Sequence, residues 1–375
     1  MKLLSPFPVT GYSGPEYFCD RAKETEKIIG ALQGKRNLTL FSLRRIGKTG
    51  LIQHVFNRLS KKKNMITIYV DLLHSQSLGD FINELSTAII QAVPERSSFG
   101  KGFLKLIKSL RPVITYDQLT GQPQVSIEIS NAREKENTLH TLIGFLNSRI
   151  ENIVIALDEF QQISNYPETN TEAFLRGEIQ KLKNTSFIFS GSQQHLLISM
   201  FTEAKRPFFA STQILKLEKI DPDVYAGFIM KKFARINNVS KSDIYKILDW
   251  TKCHTFYTQF VCNRLYLIVK EKGKVDINAL FYEILKESEP VFFHYRDLLT
   301  AAQWQLLLAV AKKGRLYKPL AKDFIEKNKL GIPASVRRSL EALLSKEMVY
   351  KEVDTAGESF YEVYDVFLSR WLERL

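Results

Sequence analysis

Short apolar runs alternate with longer amphipathic segments through the first 217 residues of the chain. Five runs rich in β-branched and aromatic residues predict strands, at 38–42, 65–71, 152–157, 186–190 and 213–217. The intervening segments repeat apolar residues every three or four positions and predict helices at 48–61, 78–93 and 174–183. Strands that alternate with helices favour a parallel sheet covered on both faces, so the fold class predicted here is α/β.

One stretch departs from this alternation. Residues 96–136 contain several glycines and prolines and a polar, strand-like piece at Gln124–Ile129. We interpret this stretch as an insertion on the rim of the sheet, and its sequence indicates no function.

The pattern changes near residue 219, where strands give way to helices. Four helices are predicted first, at 223–236, 240–250, 255–272 and 276–286. Three more, at 301–312, 317–327 and 333–346, precede two strands at 349–353 and 359–364 and a last helix at 366–375. Three helices followed by a hairpin are typical of a winged helix. The sequence thus predicts a core over 1–218, a helical lid domain over 219–299 and a winged-helix domain over 300–375.

Composition narrows the class of protein. With 45% hydrophobic and 25% charged residues in 375, the chain is neither collagenous nor disordered. Its three cysteines show no C-x-x-C spacing, which argues against a disulfide framework or a zinc site. Apolar runs are too short to span a bilayer and the N-terminus lacks the apolar core of a signal peptide, so we expect no membrane association and a cytoplasmic location. The net charge of +13 favours acidic partners such as nucleotides or nucleic acids.

The strongest chemical signal is the segment Ser42-Leu43-Arg44-Arg45-Ile46-Gly47-Lys48-Thr49, between a predicted strand and a predicted helix. A phosphate-binding loop reads G-x-x-x-x-G-K-[ST] in that setting, and here Ser42 stands at the first glycine. Backbone amides and the helix N-terminus form an anion nest there, so we predict that residues 42–50, through Gly50, bind nucleotide phosphates. Lys48 would reach the β- and γ-phosphates and Thr49 would ligate Mg²⁺. The alternative is a basic surface turn that caps a helix.

A second signal is the pair of acids that ends the apolar run Ile153–Leu157. Asp158 would hold Mg²⁺ through its water shell, and Glu159 would orient and polarise the attacking water. This is the Walker B arrangement, to be paired with the Walker A loop at 42–49. The alternative is a helix N-terminus that carries acids for electrostatic reasons.

These signals, in this order, resemble the archaeal-type ATPase family, a branch of the P-loop ATPases close to the AAA+ and STAND classes. The resemblance extends to Phe18-x-x-Arg21-x-x-Glu24, to Arg44-Arg45, to the run 200–209 and to the closing segment 361–372, and it covers nearly the whole chain except 96–136. It implies an ATPase core, a helical lid and a winged helix, with ATP or ADP and Mg²⁺ as cofactors.

The resemblance also implies further site residues. Phe18 and Arg21 would lie beside the adenine, and a polar residue after the strand at 186–190 would sense the γ-phosphate, with Ser190, Ser192 and Gln193 as candidates. The family often carries an arginine shortly after its proline–aromatic pair, but the nearest one here is Arg206. Arg206 is predicted to be an arginine finger, and the alternative is a salt bridge unrelated to phosphate.

The sequence therefore predicts a Mg²⁺-dependent ATPase that acts as a nucleotide-driven conformational switch, with slow hydrolysis if no arginine finger exists. One alternative is a DNA-binding regulator gated by ATP, with Arg337 and Arg338 on the third helix of the winged helix contacting duplex DNA. Residues 301–375 carry only three more basic than acidic side chains, which argues against strong nonspecific binding. Another alternative is a nucleotide-retaining scaffold with little hydrolysis. A protein partner and a nucleotide-dependent oligomer are further expectations.

Overall fold

The computed structural model describes residues 4–110, 112–118, 121–129, 131–234, 236, 239–273 and 275–375. Its contacts divide the chain into two compact units. The first is Thr10–Lys219, and the second contains Ile220–Leu375 together with residues 4–9. The boundary at 219–220 lies next to the one predicted from the change of pattern.

A five-stranded parallel sheet organises the first unit and confirms the predicted fold class. Its strands are β1 (Leu38–Phe41), β2 (Met65–Asp71), β5 (Asn152–Asp158), β6 (Thr185–Gly191) and β7 (Gln213–Lys216), in the order β2-β5-β6-β1-β7. The helices of this unit are α1 (Ala22–Gln33), α2 (Lys48–Leu59), α3 (Leu78–Ala92), α4 (Ser98–Ser109), α5 (Ala132–Asn147), α6 (Thr171–Gln180) and α7 (Gln194–Thr202). Since all five strands are parallel, their carboxyl ends share one edge of the sheet, where ligands bind in open α/β folds.

The segment 96–136 contains regular structure of its own. It holds α4, the start of α5 and a separate antiparallel hairpin, β3 (Pro112–Tyr116) and β4 (Pro123–Ile127). The hairpin is attached to α3, because the amides of Val125 and Ile127 donate to Thr87 Oγ1 and Asn83 Oδ1, both at 2.9 Å. Only a strand near 124–129 was predicted here: α4 was missed although Phe99, Phe103 and Ile107 recur at helical spacing and are buried, and the mostly exposed β3 has no alternating pattern.

An aromatic cluster fixes the chain just after β5. Phe160 packs against Phe189 with ring centroids 4.6 Å apart and against Phe208 at 5.3 Å, and Phe201 lies 5.2 Å from Phe189. All four rings are buried. Burial of rings this large contributes strongly to the core, and here it anchors the two acids that precede Phe160.

The second unit is helical except for one hairpin. Its elements are α8 (Pro222–Phe233), α9 (Lys241–Trp250), α10 (Thr255–Lys272), α11 (Ile277–Asp297), α12 (Ala301–Lys313), α13 (Lys322–Lys327), α14 (Pro333–Ser345), β8 (Val349–Val353), β9 (Ser359–Val363) and α15 (Val366–Leu372). The three helices α12–α14 and the hairpin β8–β9 form the winged helix that the sequence predicts.

Two helices of the second unit differ most from their predicted bounds. α11 continues beyond 286 and through Pro290, although proline removes one helical hydrogen bond. Phe292 and Phe293 pack on the ring of Trp371 at 5.5 and 5.4 Å, so tertiary contacts outweigh the local penalty. α13 begins five residues later than predicted because the backbone of Leu316 pairs with Tyr361 through two hydrogen bonds of 2.9 Å.

Side chains from α15 join the winged helix to the preceding helices. The guanidinium of Arg370 donates to the carbonyl oxygens of Trp250, at 2.9 Å, and Asp249, at 2.8 Å, at the C-terminus of α9. A cation at the C-terminus of a helix stabilises it in two ways, because it donates hydrogen bonds to the last carbonyl oxygens and interacts favourably with the helix dipole. The separation of a lid domain from a winged-helix domain at 299–300 stays a prediction, since the contacts group both segments in one unit.

Residues 4–9 pack with the second unit rather than with the core to which the prediction assigned them. Phe7 is fully buried and its ring lies 5.1 Å from Phe233 and 6.2 Å from Tyr266. The side-chain amide of Asn263 donates to the carbonyl oxygen of Phe7 at 2.7 Å. Across the part of the chain that is described, no helix has the length and apolar character needed to cross a membrane.

Candidate nucleotide site

The loop between β1 and α2 has the backbone of an anion nest. Arg45 and Gly47 have positive φ values of 59° and 104°, and α2 begins directly afterwards at Lys48. Left-handed residues turn successive amides toward the inside of such a loop. Ser42 is absent from the positive-φ residues of the described chain, so a serine fits there without backbone strain.

Lys48 lies inside this loop and is 7% exposed. Its Nζ donates to Ser42 Oγ at 3.4 Å, and Ser42 Oγ donates in turn to the carbonyl oxygen of Leu43 at 2.7 Å. Burial lowers the pKa of Lys48, and the attraction of Asp158 and Glu159 offsets this effect only in part. Among the described residues no carboxylate lies within 4 Å of its ammonium group. Lys48 is thus a buried cation that feels the charge of Asp158 and Glu159 but forms no direct ion pair with a carboxylate of the described chain.

Asp158 is the centre of the hydrogen-bond network at the end of β5. Its Oδ2 accepts from Thr49 Oγ1 at 2.9 Å and from the hydroxyl of Tyr69 at 2.6 Å. Its Oδ1 accepts from Ser190 Oγ at 2.6 Å and from the amide of Glu159 at 3.1 Å. The structure therefore brings together the loop threonine, the acidic strand end and the polar end of the neighbouring strand, as the sequence predicts.

Tyr69 is a member of this network that the sequence analysis missed. It lies on β2, which pairs with β5 in register. Burial, followed by the charge of Asp158, raises the pKa of Tyr69, so its hydroxyl stays protonated and donates. The signal available was weak: a polar aromatic residue two positions before the acidic end of a mainly apolar strand.

Glu159 has a left-handed backbone with φ 53°. Its carboxylate accepts hydrogen bonds from two nearby residues. Oε2 accepts from Gln161 Nε2 at 2.6 Å, from Ser192 Oγ at 2.9 Å and from the amide of Ser192 at 3.1 Å. Of the three candidates at the end of β6, Ser190 and Ser192 therefore bind the acids. Gln193 is the N-cap residue of α7, and no hydrogen bond joins its side chain to either carboxylate among the described residues.

Phe18 and Arg21 lie at the start of the first unit. The ring of Phe18 stacks on His54 of α2 with centroids 4.4 Å apart, and it is the group that a Cβ at Gly50 would meet, at 3.6 Å. His54 Nδ1 in turn lies 2.9 Å from the hydroxyl of Tyr12. Arg21 is 5% exposed and pairs with Glu24 at 3.2 Å, while its Nη2 is buried with no hydrogen-bond partner among the residues that the structure describes. The structure thus places Phe18 one turn along α2 from the phosphate loop, and a role beside adenine stays a prediction.

Arg206 forms an ion pair with a carboxylate outside the network of Asp158 and Glu159. Its Nη2 forms an ion pair of 2.8 Å with Glu172 Oε1 on α6 and donates to Ser164 Oγ at 3.2 Å. This is the salt bridge that the sequence analysis gave as the alternative. The structure does not bring Arg206 into the network of Asp158, and the arginine-finger assignment stays a prediction.

These residues fit a magnesium nucleotide. A buried cation that forms no ion pair within the protein is costly unless a bound anion neutralises it. Lys48 and the neighbouring amide nest together can bind such an anion. No cluster of three or more His, Cys, Asp or Glu in the described chain could hold a metal by itself. Mg²⁺ normally binds through one or two protein ligands together with phosphates and water, and Thr49 with Asp158 matches that requirement.

Comparison with known families identifies the class. Residues 18–255 match the model of an ATPase domain found predominantly in Archaea, and residues 290–374 match a model described as a probable winged-helix domain. The first match covers more than half of the chain, so the chain belongs to this archaeal-type P-loop ATPase family. A comparison with curated proteins gives no match.

Solved structures show the same fold at low identity. The Walker-type ATPase PABY2304 of Pyrococcus abyssi is 17% identical with a TM-score of 0.66, over 99% of this chain and all of that one. The ORC2 protein of Aeropyrum pernix, solved as ADPNP–ADP complexes, is 12% identical with a TM-score of 0.61, over 98% and 95%. The ORC1 protein of Aeropyrum pernix in complex with DNA is 14% identical with a TM-score of 0.52, over 99% and 96%.

Proposed function

We propose that the protein binds ATP with Mg²⁺ and hydrolyses it to ADP and phosphate. The observation that carries this proposal is the 2.9 Å hydrogen bond from Thr49 to Asp158, which joins the phosphate loop to the acidic strand end over 109 residues of sequence. A magnesium triphosphate needs both segments at one place. Nucleotide complexes of the structurally similar ORC2 protein are consistent with this proposal.

Each residue has a defined task in this proposal. The loop amides and Lys48 bind the β- and γ-phosphates and stabilise the charge on them. Thr49 and Asp158 hold Mg²⁺, which neutralises charge on the phosphate oxygens when bound. The Glu159 carboxylate orients the attacking water and accepts its proton. Ser190 fixes one oxygen of Asp158 and so connects β6 to the metal side of the site.

Turnover of Asp158→Asn tests the site. We expect loss of Mg²⁺-dependent hydrolysis by about 100-fold or more, because the amide loses the negative charge that holds the metal. Asp71→Asn is the matched control: Asp71 ends β2 opposite Asp158, but its Oδ1 accepts from the amide of Leu73 at 2.9 Å. Unchanged hydrolysis in Asp158→Asn would refute the assignment.

Comparison with Glu159→Gln separates an enzyme from a nucleotide-retaining scaffold. The amide can still fill the space of Glu159 but cannot accept a proton, so we expect ATP to bind and turnover to fall by at least 100-fold. If wild-type protein hydrolyses ATP no faster than Glu159→Gln, the scaffold alternative is correct. Ser42→Gly then tests whether the serine in the loop limits the rate.

We further propose that nucleotide state acts as a conformational switch and that it controls association with a protein partner or with further copies of the chain. Binding of ATP, ADP and GTP should be measured by titration, with the size of the protein determined in each state. A change of size or shape that follows ATP and disappears with ADP supports the switch, whereas identical behaviour in all states contradicts it.

DNA binding is the second candidate function. Arg337 and Arg338 are both exposed on α14, the third helix of the winged helix. The structurally similar ORC1 protein was solved in complex with DNA. We expect duplex affinity at low salt to fall in Arg337→Glu and Arg338→Glu but to change less in Lys322→Glu, whose lysine is exposed on α13. The absence of any shift at low salt would exclude this function.

A further inference from the structure

Gln161 and Ser192 hold the Glu159 carboxylate in one orientation. All three hydrogen bonds converge on Oε2, from the Gln161 side-chain amide at 2.6 Å and from the Ser192 hydroxyl and amide at 2.9 and 3.1 Å. Hydrogen bonds to a charged acceptor are strong and directional. The carboxylate is therefore fixed through one oxygen, and no hydrogen bond to Oε1 occurs within the described chain.

The Gln161 side chain is itself fixed by packing. It is 1% exposed, and a Cβ placed on Gly191 would lie 2.0 Å from Gln161 Oε1. That oxygen is buried without a hydrogen-bond partner in the described chain. The reverse orientation of the amide would direct this oxygen at the carboxylate, where two acceptors repel each other. Glycine at 191 thus leaves the space in which the amide can reach Glu159.

A buried polar atom without a partner destabilises the fold, so the choice of glutamine here is not explained by stability. A methionine of similar size would fill the same space without that penalty. Unlike methionine, glutamine supplies an N–H donor, and this donor forms the 2.6 Å hydrogen bond to Glu159.

The end of β6 contacts the two acids separately. Ser190 donates to Asp158 and Ser192, two residues later, donates to Glu159. Ser190 lies in β6 and Ser192 follows the last residue of that strand, so the two serines reach neighbouring acids at the same edge of the sheet. Removing the Ser192 contacts would leave the Asp158 network with Thr49 and Tyr69 intact. The orientation of Glu159 can therefore be disturbed without disturbing the metal side of the site.

We propose that Gln161 and Ser192 are positioning residues that hold Glu159 in the orientation in which it acts on the attacking water, and that Gly191 is required for this arrangement. This inference rests on the proposed ATPase function. The opposite possibility is that these contacts hold Glu159 in a resting orientation that must be released before hydrolysis.

The test measures turnover of Mg²⁺-ATP together with the Kd of a non-hydrolysable ATP analogue. Gln161→Met and Ser192→Ala each remove side-chain donors to Oε2, and we expect kcat to fall by about tenfold while Kd changes less than twofold. Ser192→Thr keeps the hydroxyl and should recover most of the rate. Faster turnover in Gln161→Met or Ser192→Ala would overturn the proposal in favour of the resting orientation.

Gly191→Ala provides an independent measurement. The added methyl group displaces the end of the Gln161 side chain and with it the hydrogen bond to Glu159, so we expect a lower kcat with a small change in melting temperature. Adding Gln161→Ala gives the methyl group room but leaves Glu159 without this donor, so kcat should stay low. Recovery of kcat in the double variant would show that the glutamine only fills space. Wild-type protein without Mg²⁺-ATP turnover would overturn the ATPase function itself, whereas an active wild type with unaffected variants would overturn the positioning role alone.

Discussion

Two polar clusters, one in each unit, differ in the groups that surround a lysine. In the second unit, Lys252 Nζ lies 2.7 Å from Glu362 Oε1 and 3.2 Å from Ser369 Oγ, and the hydroxyl of Tyr350 donates to the other oxygen of Glu362. In the first unit, the ammonium of Lys48 donates to the hydroxyl of Ser42 at 3.4 Å, and no carboxylate of the described chain lies within 4 Å of it. We call the Lys252 cluster closed, because a carboxylate bonds directly to its lysine, and the Lys48 cluster open, because its carboxylates do not.

The difference separates a structural network from a binding site. A buried charge is stable when a partner of opposite charge neutralises it, and the Lys252 cluster contains that partner. Around Lys48 the nearby acids are engaged by other groups: Asp158 accepts four hydrogen bonds and Glu159 accepts three. The phosphate loop therefore keeps a positive charge available for a ligand, and the four predictions that follow test this contrast.

Removing the acid from the closed cluster should have the largest effect. In Glu362→Leu, Lys252 loses its counter-ion, and we expect the second unit to lose about 3 kcal/mol of unfolding free energy. All three tryptophans, Trp250, Trp304 and Trp371, lie in that unit, so their fluorescence during urea unfolding reports on it alone.

The paired variant Lys252→Met with Glu362→Leu is the control for this prediction. Because it removes both charges, it should recover most of the lost stability. ATP affinity should remain unchanged in both variants. Equal unfolding midpoints for wild type and Glu362→Leu would show that the closed cluster contributes little to the fold.

Removing the cation from the open cluster should weaken ligand binding without weakening the fold. We expect Lys48→Ala to lower ATP affinity by about 10- to 150-fold, the effect of losing a charged hydrogen bond worth about 1.5–3 kcal/mol. Its melting temperature without nucleotide should be equal to or above that of wild type, because a desolvated cation has been removed. Calorimetric titration and thermal unfolding measure the two quantities. Lys61→Ala, at an exposed lysine just beyond α2, is the control, and retained ATP affinity in Lys48→Ala would refute the site.

Tyr69→Phe should have a smaller effect on the same site. The variant removes the 2.6 Å hydrogen bond to Asp158, worth about 1 kcal/mol, while leaving the ring in place. We expect the Mg²⁺ concentration for half-maximal turnover to change by about fivefold, with ATP affinity in the absence of Mg²⁺ unaffected. Tyr116→Phe, at an exposed tyrosine of β3, should behave as wild type. Equal Mg²⁺ dependence in all three proteins would remove Tyr69 from the site.

The smallest expected effect is the uptake of a fraction of a proton when ATP binds. Burial lowers the pKa of Lys48 from 10.5, so the unfolded chain binds more protons than the folded one between that lowered pKa and 10.5. Stability without ligand therefore rises with pH across this window. ATP favours the charged lysine, so binding there should take up a fraction of a proton and weaken as pH rises. Calorimetry in buffers of different ionisation heat measures this uptake, and Lys48→Arg should abolish it. Proton release on binding would contradict the account.

The parts of the site that are continuous in sequence could be predicted, and the parts assembled across strands could not. The loop from Ser42 to Thr49 and the acids after β5 are local patterns in which a strand ends in residues of one chemistry. Tyr69 reaches Asp158 only because β2 pairs with β5 in register, 89 residues apart in the chain. Gln161 contacts Gly191 across two strand ends, and neither residue has a local signature for that contact.

The fold follows the same rule. Apolar strands buried on both faces, such as β5, can be recognised from their composition, and all five strands of the sheet were predicted. The end of α11 was not, because the sequence around Pro290 indicates a break while Trp371, 81 residues further on, supplies the packing that carries the helix through it.

The short N-terminal segment has a practical consequence for dissecting the molecule. Because Phe7 fills an aromatic pocket formed by Phe233 and Tyr266, the polypeptide passes from one unit to the other twice, at 9–10 and again at 219–220. A fragment that starts at residue 220 would expose those rings to water and would tend to aggregate. A faithful isolated fragment needs residues 4–9 restored, either as an added peptide or by fusing them through a linker to the new start.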